Sequence, residues 1–146
     1  MKVKVKKLHP AAVLPQHATS GAACFDLQAI EGGSAAAYGG TLACRTGLAF
    51  ELPAGHVMLI YSRSGHGFKN SVRLVNSVGV IDSDYRGTVQ VKLTMDVSAE
   101  YRPMQVMPGD RVAQAMIVPS PYVHFELVDQ LGDTERGDGG FGSTGA

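Results

Sequence analysis

Residues Thr88-Val89-Gln90-Val91-Lys92-Leu93-Thr94-Met95-Asp96-Val97 alternate polar and apolar without a break. Successive side chains of a strand point to opposite faces. The spacing therefore predicts a strand over 88–97, with Val89, Val91, Leu93 and Met95 buried and Gln90, Lys92, Thr94 and Asp96 on the other face. The same period recurs over residues 2–7, where Val3 and Val5 oppose the lysines, and strands are also expected at 56–61 and 111–118. Turn-forming clusters separate these runs: Glu31-Gly32-Gly33, Gly39-Gly40, Pro53-Ala54-Gly55, Asp84-Tyr85-Arg86-Gly87 and Pro108-Gly109-Asp110. No long stretch holds apolar residues at helical spacing, and at most one short helix is expected, after Ser64. Short strands joined by turns describe an all-β sandwich, jelly roll or barrel.

At 146 residues the chain suits one ordinary domain. With 45% hydrophobic and 18% charged residues, its composition is that of a globular protein. Lys plus Arg equals Asp plus Glu, 13 against 13, so no overall positive field is available to hold a nucleic acid polymer. Cations that bind phosphate must then be placed locally. Cys24 and Cys44 lack metal or redox spacing and are expected as free thiols. The N-terminus has no apolar signal region, and no apolar run is long enough for a membrane span, so a cytoplasmic protein without membrane contact is expected.

The end of the chain differs from the rest. Residues 132–146 are rich in glycine and poor in large apolar groups, apart from Phe141. Such a tail cannot pack a core; it is a flexible arm, or one that orders only by closing on something. The division expected is a β-domain at 1–131 and an arm at 132–146. Within the arm, Arg136 offers a planar fork for phosphate, the glycines free backbone N–H groups, and Ser143 and Thr144 add hydroxyl donors. The spacing from Gly137 to Thr144 approaches a Walker P-loop, but Ser143 stands where the lysine belongs, and no helix follows. Phe141, flanked by glycines, can lie over a nucleobase.

Three further stretches carry candidate chemistry. In Tyr61-Ser62-Arg63-Ser64-Gly65-His66-Gly67, Ser64 is a candidate N-cap, the amides after it face outward, and Arg63 completes a phosphate site. The run from Asn76 to Gly87 has the outline of a hairpin, with Asp82 closing the apolar Val80-Ile81 segment, where a carboxylate can take a proton from water. Tyr85 can stack on a sugar or simply cover the turn. Gln114 interrupts an apolar run and must find a partner, while Asp26 opens an expected strand and reads as structural. The histidines show no metal-ligand spacing.

In this order the segments resemble the five motifs of the trimeric dUTPase family, over nearly the whole chain. They are residues 18–27, Arg63-Ser64-Gly65, residues 79–87, residues 109–114 and residues 136–145. The resemblance implies a distorted jelly roll, a homotrimer with sites at the subunit contacts, and hydrolysis of dUTP to dUMP and pyrophosphate with Mg2+. It implies that Asp82 is the base activating the water that attacks the α-phosphorus. Asn76, Gly79, Val80 and Ile81 then hold uracil, Tyr85 stacks on deoxyribose, and Gln90 is a variable nucleotide contact. Arg63, Ser64, Gly65 and Gln114 hold phosphates. Arg136, Phe141, Gly142 and Ser143 close from the arm of a neighbouring subunit. Asp26 reaches magnesium only through water.

The second motif departs from the family, which has proline before the arginine and Leu-Ala after the glycine. Ser62 and Gly67 are expected to loosen this turn, and His66 to exchange an apolar contact for a polar one. Two rival readings are a dCTP deaminase of the same fold and a nucleotide-sensing binding protein. The deaminase needs a catalytic glutamate where this chain has Lys92, and the intact Asp82 argues against a pure sensor.

Overall fold

The computed structural model describes residues 1–36, 39–96, 103–140 and 143. Among them are eleven strands and one helix. They are β1 (Lys4–Lys7), β2 (Phe25–Gln28), β3 (Gly33–Ala35), β4 (Thr41–Arg45), β5 (Leu48–Glu51), β6 (His56–Tyr61), α1 (Ser64–Asn70), β7 (Val72–Leu74), β8 (Val78–Ile81), β9 (Gln90–Met95), β10 (Met104–Val106) and β11 (Arg111–Pro119).

Every ladder is antiparallel. A four-stranded sheet in the order β2-β11-β6-β8 and a three-stranded sheet in the order β4-β9-β7 form the body, with the pairs β1-β5 and β3-β10 beside them. The fold is a jelly-roll-like β-structure with one short helix. Leu27, Met58, Ile60, Val112 and Ala115 from the larger sheet meet Cys44, Leu74, Val91 and Leu93 from the smaller one in a single core. Burial of such side chains is the main force holding the sheets together. Thr46, fully buried, donates its hydroxyl to the Val89 carbonyl at 2.8 Å and accepts from the Leu48 amide at 3.2 Å, so its polar group costs nothing unpaired.

The alternation expected over residues 88–97 is realised among the described residues, with strand pairing confined to β9 at Gln90–Met95. Val89, Val91, Leu93 and Met95 are buried, Gln90, Lys92 and Asp96 are exposed, and Thr94 is half-buried. Val97 lies outside the described residues. β6 has the expected bounds, and β1 places Val3 and Val5 against the core while its lysines face out. Among the described residues no helix is long and apolar enough to cross a membrane. Both cysteines are free thiols.

After Pro119 the chain leaves the sheets. The Ser120 amide still donates to the Gly55 carbonyl at 2.7 Å, but residues 121–138 are exposed throughout. Tyr122, Phe125, Leu127 and Leu131 are among the large apolar groups left uncovered there.

Candidate active site

The middle of β11 anchors the first cleft. Gln114 stands opposite Asp26 of β2, and a register shift between Arg111 and Ala113 inserts one extra residue into the ladder. In an unbroken strand, residues three apart face opposite ways; the bulge returns Arg111 to the face of Gln114. Both then line a cleft of about 370 Å³ with Asp26, Arg63, Ser64 and Gly65. Asp26 is the second residue of β2 rather than its opening residue.

Asp26 is held from two sides. Arg63 Nε donates to its Oδ1 at 2.9 Å and Arg111 Nη1 to its Oδ2 at 3.2 Å, while Arg63 Nη1 donates to the Arg111 carbonyl at 3.2 Å. Arg63 itself leaves β6 in extended geometry (φ −88°, ψ 134°) and is the N-cap of α1, without a side-chain cap bond. The expected cap, Ser64, is instead the first helical residue. The amides of His66 and Gly67 turn back to the Arg63 carbonyl at 3.1 and 3.0 Å. The first N–H groups of a helix have no acceptor within it, so Ser64 and Gly65 keep theirs unclaimed among the described residues.

At Ser62 the turn is tied down rather than loosened. The Ser62 hydroxyl accepts the Leu74 amide at 2.9 Å, and Gln114 Nε2 donates to the Ser62 carbonyl at 2.9 Å. A proline here could not make the first of these bonds. His66 is half-buried. Burial, and then the neighbouring Arg63, push its imidazole below the usual value, so it adds no charge near neutral pH.

The second cleft lies where the expected hairpin opens. Residues 76–87 do not form a paired hairpin: among the described residues β8 pairs only with β6, whereas β9 lies between β4 and β7. The two arms belong to different sheets because each finds its partner far away in the chain. The edge of β8 facing away from β6 thus keeps backbone donors and acceptors free, and a cleft of about 350 Å³ opens beside it, lined by Asn76, Gly79, Val80, Ile81, Gln90 and Lys92 among others. Gly79 allows the close pairing with β6, since a Cβ there would stand 3.1 Å from that of Ile60.

A cleft of about 290 Å³ continues from it through Val80, Ile81 and Gln90 to Asp82, Tyr85 and Thr88. The turn between is braced. The Tyr85 amide donates to the Asp82 carbonyl at 3.2 Å, the Tyr85 hydroxyl to the Thr88 carbonyl at 3.3 Å, and Arg86 Nη1 to the Ser83 carbonyl at 2.7 Å. The Tyr85 ring lies over Gly87, where any side chain would collide with it. Asp82 is exposed, and its carboxylate has no hydrogen bond among the described residues. It is positioned by its turn and open to solvent.

Asp26, Arg63, Ser64, Gly65 and Gln114 therefore meet in one cleft, and Asn76, Gly79, Val80, Ile81, Asp82, Tyr85 and Gln90 in the other pair. No residue lines both regions. Arg136 and Ser143 line none of these clefts; Arg136 Nε donates to the Gly139 carbonyl at 2.7 Å within the arm. Phe141 and Gly142 lie outside the described residues. Arg111 is the cleft residue that sequence reasoning passed over. The adjacent buried pair Val112-Ala113, which a regular half-exposed strand does not carry, was the available sign of the bulge.

Among the described residues no group of three or more His, Cys, Asp and Glu side chains could hold a metal. Cys24 borders the first cleft, but burial and then Asp26 raise its pKa, and burial pushes Cys44 up to about 11, so both remain thiols and neither suits nucleophilic attack.

The dUTPase family model matches residues 11–145. A deoxyuridine 5'-triphosphate nucleotidohydrolase of Nautilia profundicola is 42% identical over 145 residues, covering 99% of each chain. The protein of that name from a Picosynechococcus species is 41% identical, again over 99% of each. Among solved structures, the dUTPase of Staphylococcus bacteriophage 80alpha with dUpNHpp superposes with a TM-score of 0.89 at 24% identity, covering 99% of both chains. The dUTPase of phage phi11 of S. aureus, described with a structural Mg(II) ion, has a TM-score of 0.78 at 23% identity, covering 89% of this chain and 98% of its own. With a family match spanning almost its whole length and full-length relatives above 40% identity, the chain belongs to the dUTPase family.

Proposed function

We propose that the protein hydrolyses dUTP to dUMP and pyrophosphate, keeping uracil out of DNA and supplying dUMP for thymidylate synthesis. The observation that carries this reading is the opened β8–β9 segment, with a free strand edge beside Asn76 and with Asp82 and Tyr85 at its mouth. A pyrimidine presents donors and acceptors along one edge, and the backbone groups on the free edge of Gly79, Val80 and Ile81, with the Asn76 amide, are suited to meet them. Gln90 adds a polar contact from the facing strand.

Asp82 accepts a proton from water, whose oxygen bonds to the α-phosphorus as the bond to the α,β-bridging oxygen breaks; pyrophosphate leaves. Arg63, the Ser64 and Gly65 donors and Gln114 hold the phosphates and oppose the charge that develops on them. Magnesium fits as a counterion brought by the substrate. The phosphate cleft contains one carboxylate, Asp26, already shared by two arginines, so the substrate's phosphates would hold the ion and Asp26 would support it only indirectly, through water. When bound, the ion neutralises phosphate charge.

The physical separation of the phosphate cleft from the base cleft within one chain supports a site completed between subunits of a homotrimer, as do the uncovered Tyr122, Phe125, Leu127 and Leu131. The arm at 132–146 then brings Arg136, Phe141, Gly142 and Ser143 over a neighbour's nucleotide. Sedimentation should give three times the 15.4 kDa chain mass. A fully active species of single-chain mass would exclude shared sites. The cytoplasm, where dNTPs are made, is the expected location.

Pyrophosphate release from dUTP, dTTP, dCTP and UTP, measured side by side with and without magnesium, tests the reading. Release from dUTP should dominate and require the ion; equal turnover of all four would remove the proposed base recognition. Tyr85→Ala should raise UTP turnover relative to dUTP, because the ring is proposed to fill the space of a 2′-hydroxyl. An unchanged ratio of the two kcat/KM values would put the sugar discrimination elsewhere.

A further inference from the structure

We propose that Arg111 is a substrate-binding residue, a second guanidinium that is parked on Asp26 in the free protein and moves onto the phosphate chain when a triphosphate enters the cleft. The inference rests on the reading of that cleft as the triphosphate site.

The backbone is built to aim Arg111 there. Without the bulge at the start of β11, Arg111 would face away from Gln114; with it, both side chains stand over Asp26. The two arginines are held in different ways. Arg63 is mostly buried, at 22% side-chain exposure, and uses Nε on Asp26 and Nη1 on the Arg111 carbonyl, which fixes its plane. The Arg111 side chain is 50% exposed, and the one hydrogen bond its guanidinium makes among the described residues, to Asp26, is 3.2 Å long. A guanidinium has five N–H donors in a rigid fork, so most of this fork is free to accept a new partner.

A purely structural role accounts poorly for this arrangement. A half-exposed ion pair contributes little to stability, and Asp26 keeps the better-buried Arg63 on its Oδ1 whether or not Arg111 is there. Two guanidiniums against one carboxylate leave the cleft with a net positive charge before any ligand arrives, beside the unclaimed Ser64 and Gly65 amides. A polyphosphate carries several negative charges and accepts bidentate bonds better than a shared carboxylate does. Transfer of Arg111 would also leave the Asp26 Oδ2 free.

The test compares a non-hydrolysable dUTP analogue with deoxyuridine as ligands of the whole protein. Arg111→Gln should weaken the analogue about 10- to 100-fold, the size of one charge-assisted hydrogen bond, and leave deoxyuridine affinity as in wild type. Arg111→Lys should recover part of the loss, since charge returns without the fork. Wild-type affinity for the analogue in Arg111→Gln would overturn the proposal while the phosphate reading of the cleft stood. Equal weakening of both ligands would make Arg111 a structural residue and overturn it too. If wild type binds deoxyuridine but gains nothing from the triphosphate, the phosphate reading itself fails and Arg111 with it.

Discussion

Asp82→Asn is expected to lower kcat for dUTP by about 10²–10⁴-fold while leaving affinity for a non-hydrolysable analogue and thermal stability nearly unchanged. The exchange is close to isosteric and removes only the capacity to take a proton. Asp82 is exposed, and its side chain makes no hydrogen bond among the described residues, so no packing or ion pair is lost with it. Its backbone carbonyl, which accepts the Tyr85 amide at 3.2 Å, is unaffected by the change, so the turn that carries Tyr85 should persist. Steady-state kinetics and a binding titration on the same preparation separate the effects. Turnover like wild type would remove Asp82 from the chemistry, and loss of analogue binding would make it a recognition residue.

Deleting residues 137–146 should likewise remove most catalysis, with thermal unfolding and assembly mass almost untouched. The hydrogen bonds described for residues 134–143 are all local, such as Gly137 to Thr134 and Ser143 to Gly140, so among the described residues the body loses no hydrogen-bond partner. On the proposed reading the nucleotide would lose contacts: Ser143, the stack of Phe141, worth roughly 1–3 kcal/mol, and the hold that keeps Arg136 over the phosphates. Trypsin offers a second reading on the intact chain, because Arg136 is exposed at the root of the arm. Saturating analogue with magnesium should slow that cut, and Phe141→Ala should reduce the protection. Equal cutting rates with and without analogue would leave a disordered tail and no lid.

How far the sequence could be read depended on whether the deciding interaction was local. The strand around Val91 and Leu93 declares both its state and its buried face through strict alternation, and β6 shows its bounds through turns at either end. Three-residue strands such as β3, β7 and β10 are too short to show any period. The segment from Asn76 to Gly87 looks like a hairpin because a turn separates two apolar runs. Its arms nonetheless part, drawn to β6 on one side and to β4 and β7 on the other. Nothing within the segment encodes those partners.

The candidate site divides in the same way. Asp82 stands out by closing an apolar run, Gln114 by interrupting one, Arg63 by following a strand and Tyr85 by its place in a turn, and the order of the motifs gives each an expected role. The contacts around Asp26 do not stand out. Arg63 lies 37 residues from Asp26 and Arg111 lies 85 residues away, and both meet it only because β11 pairs with β2 on one side and with β6 on the other. Ser62 reads as a loosened proline position, yet its hydroxyl takes a backbone amide that only the fold brings near.

The central claim is that water attacks the α-phosphorus of dUTP. Turnover in water enriched in heavy oxygen, followed by mass spectrometry of both products, tests it directly. The expected result is one labelled oxygen in dUMP and none in pyrophosphate. Label in the pyrophosphate would mean attack at the β-phosphorus, and absence of turnover would contradict the function itself.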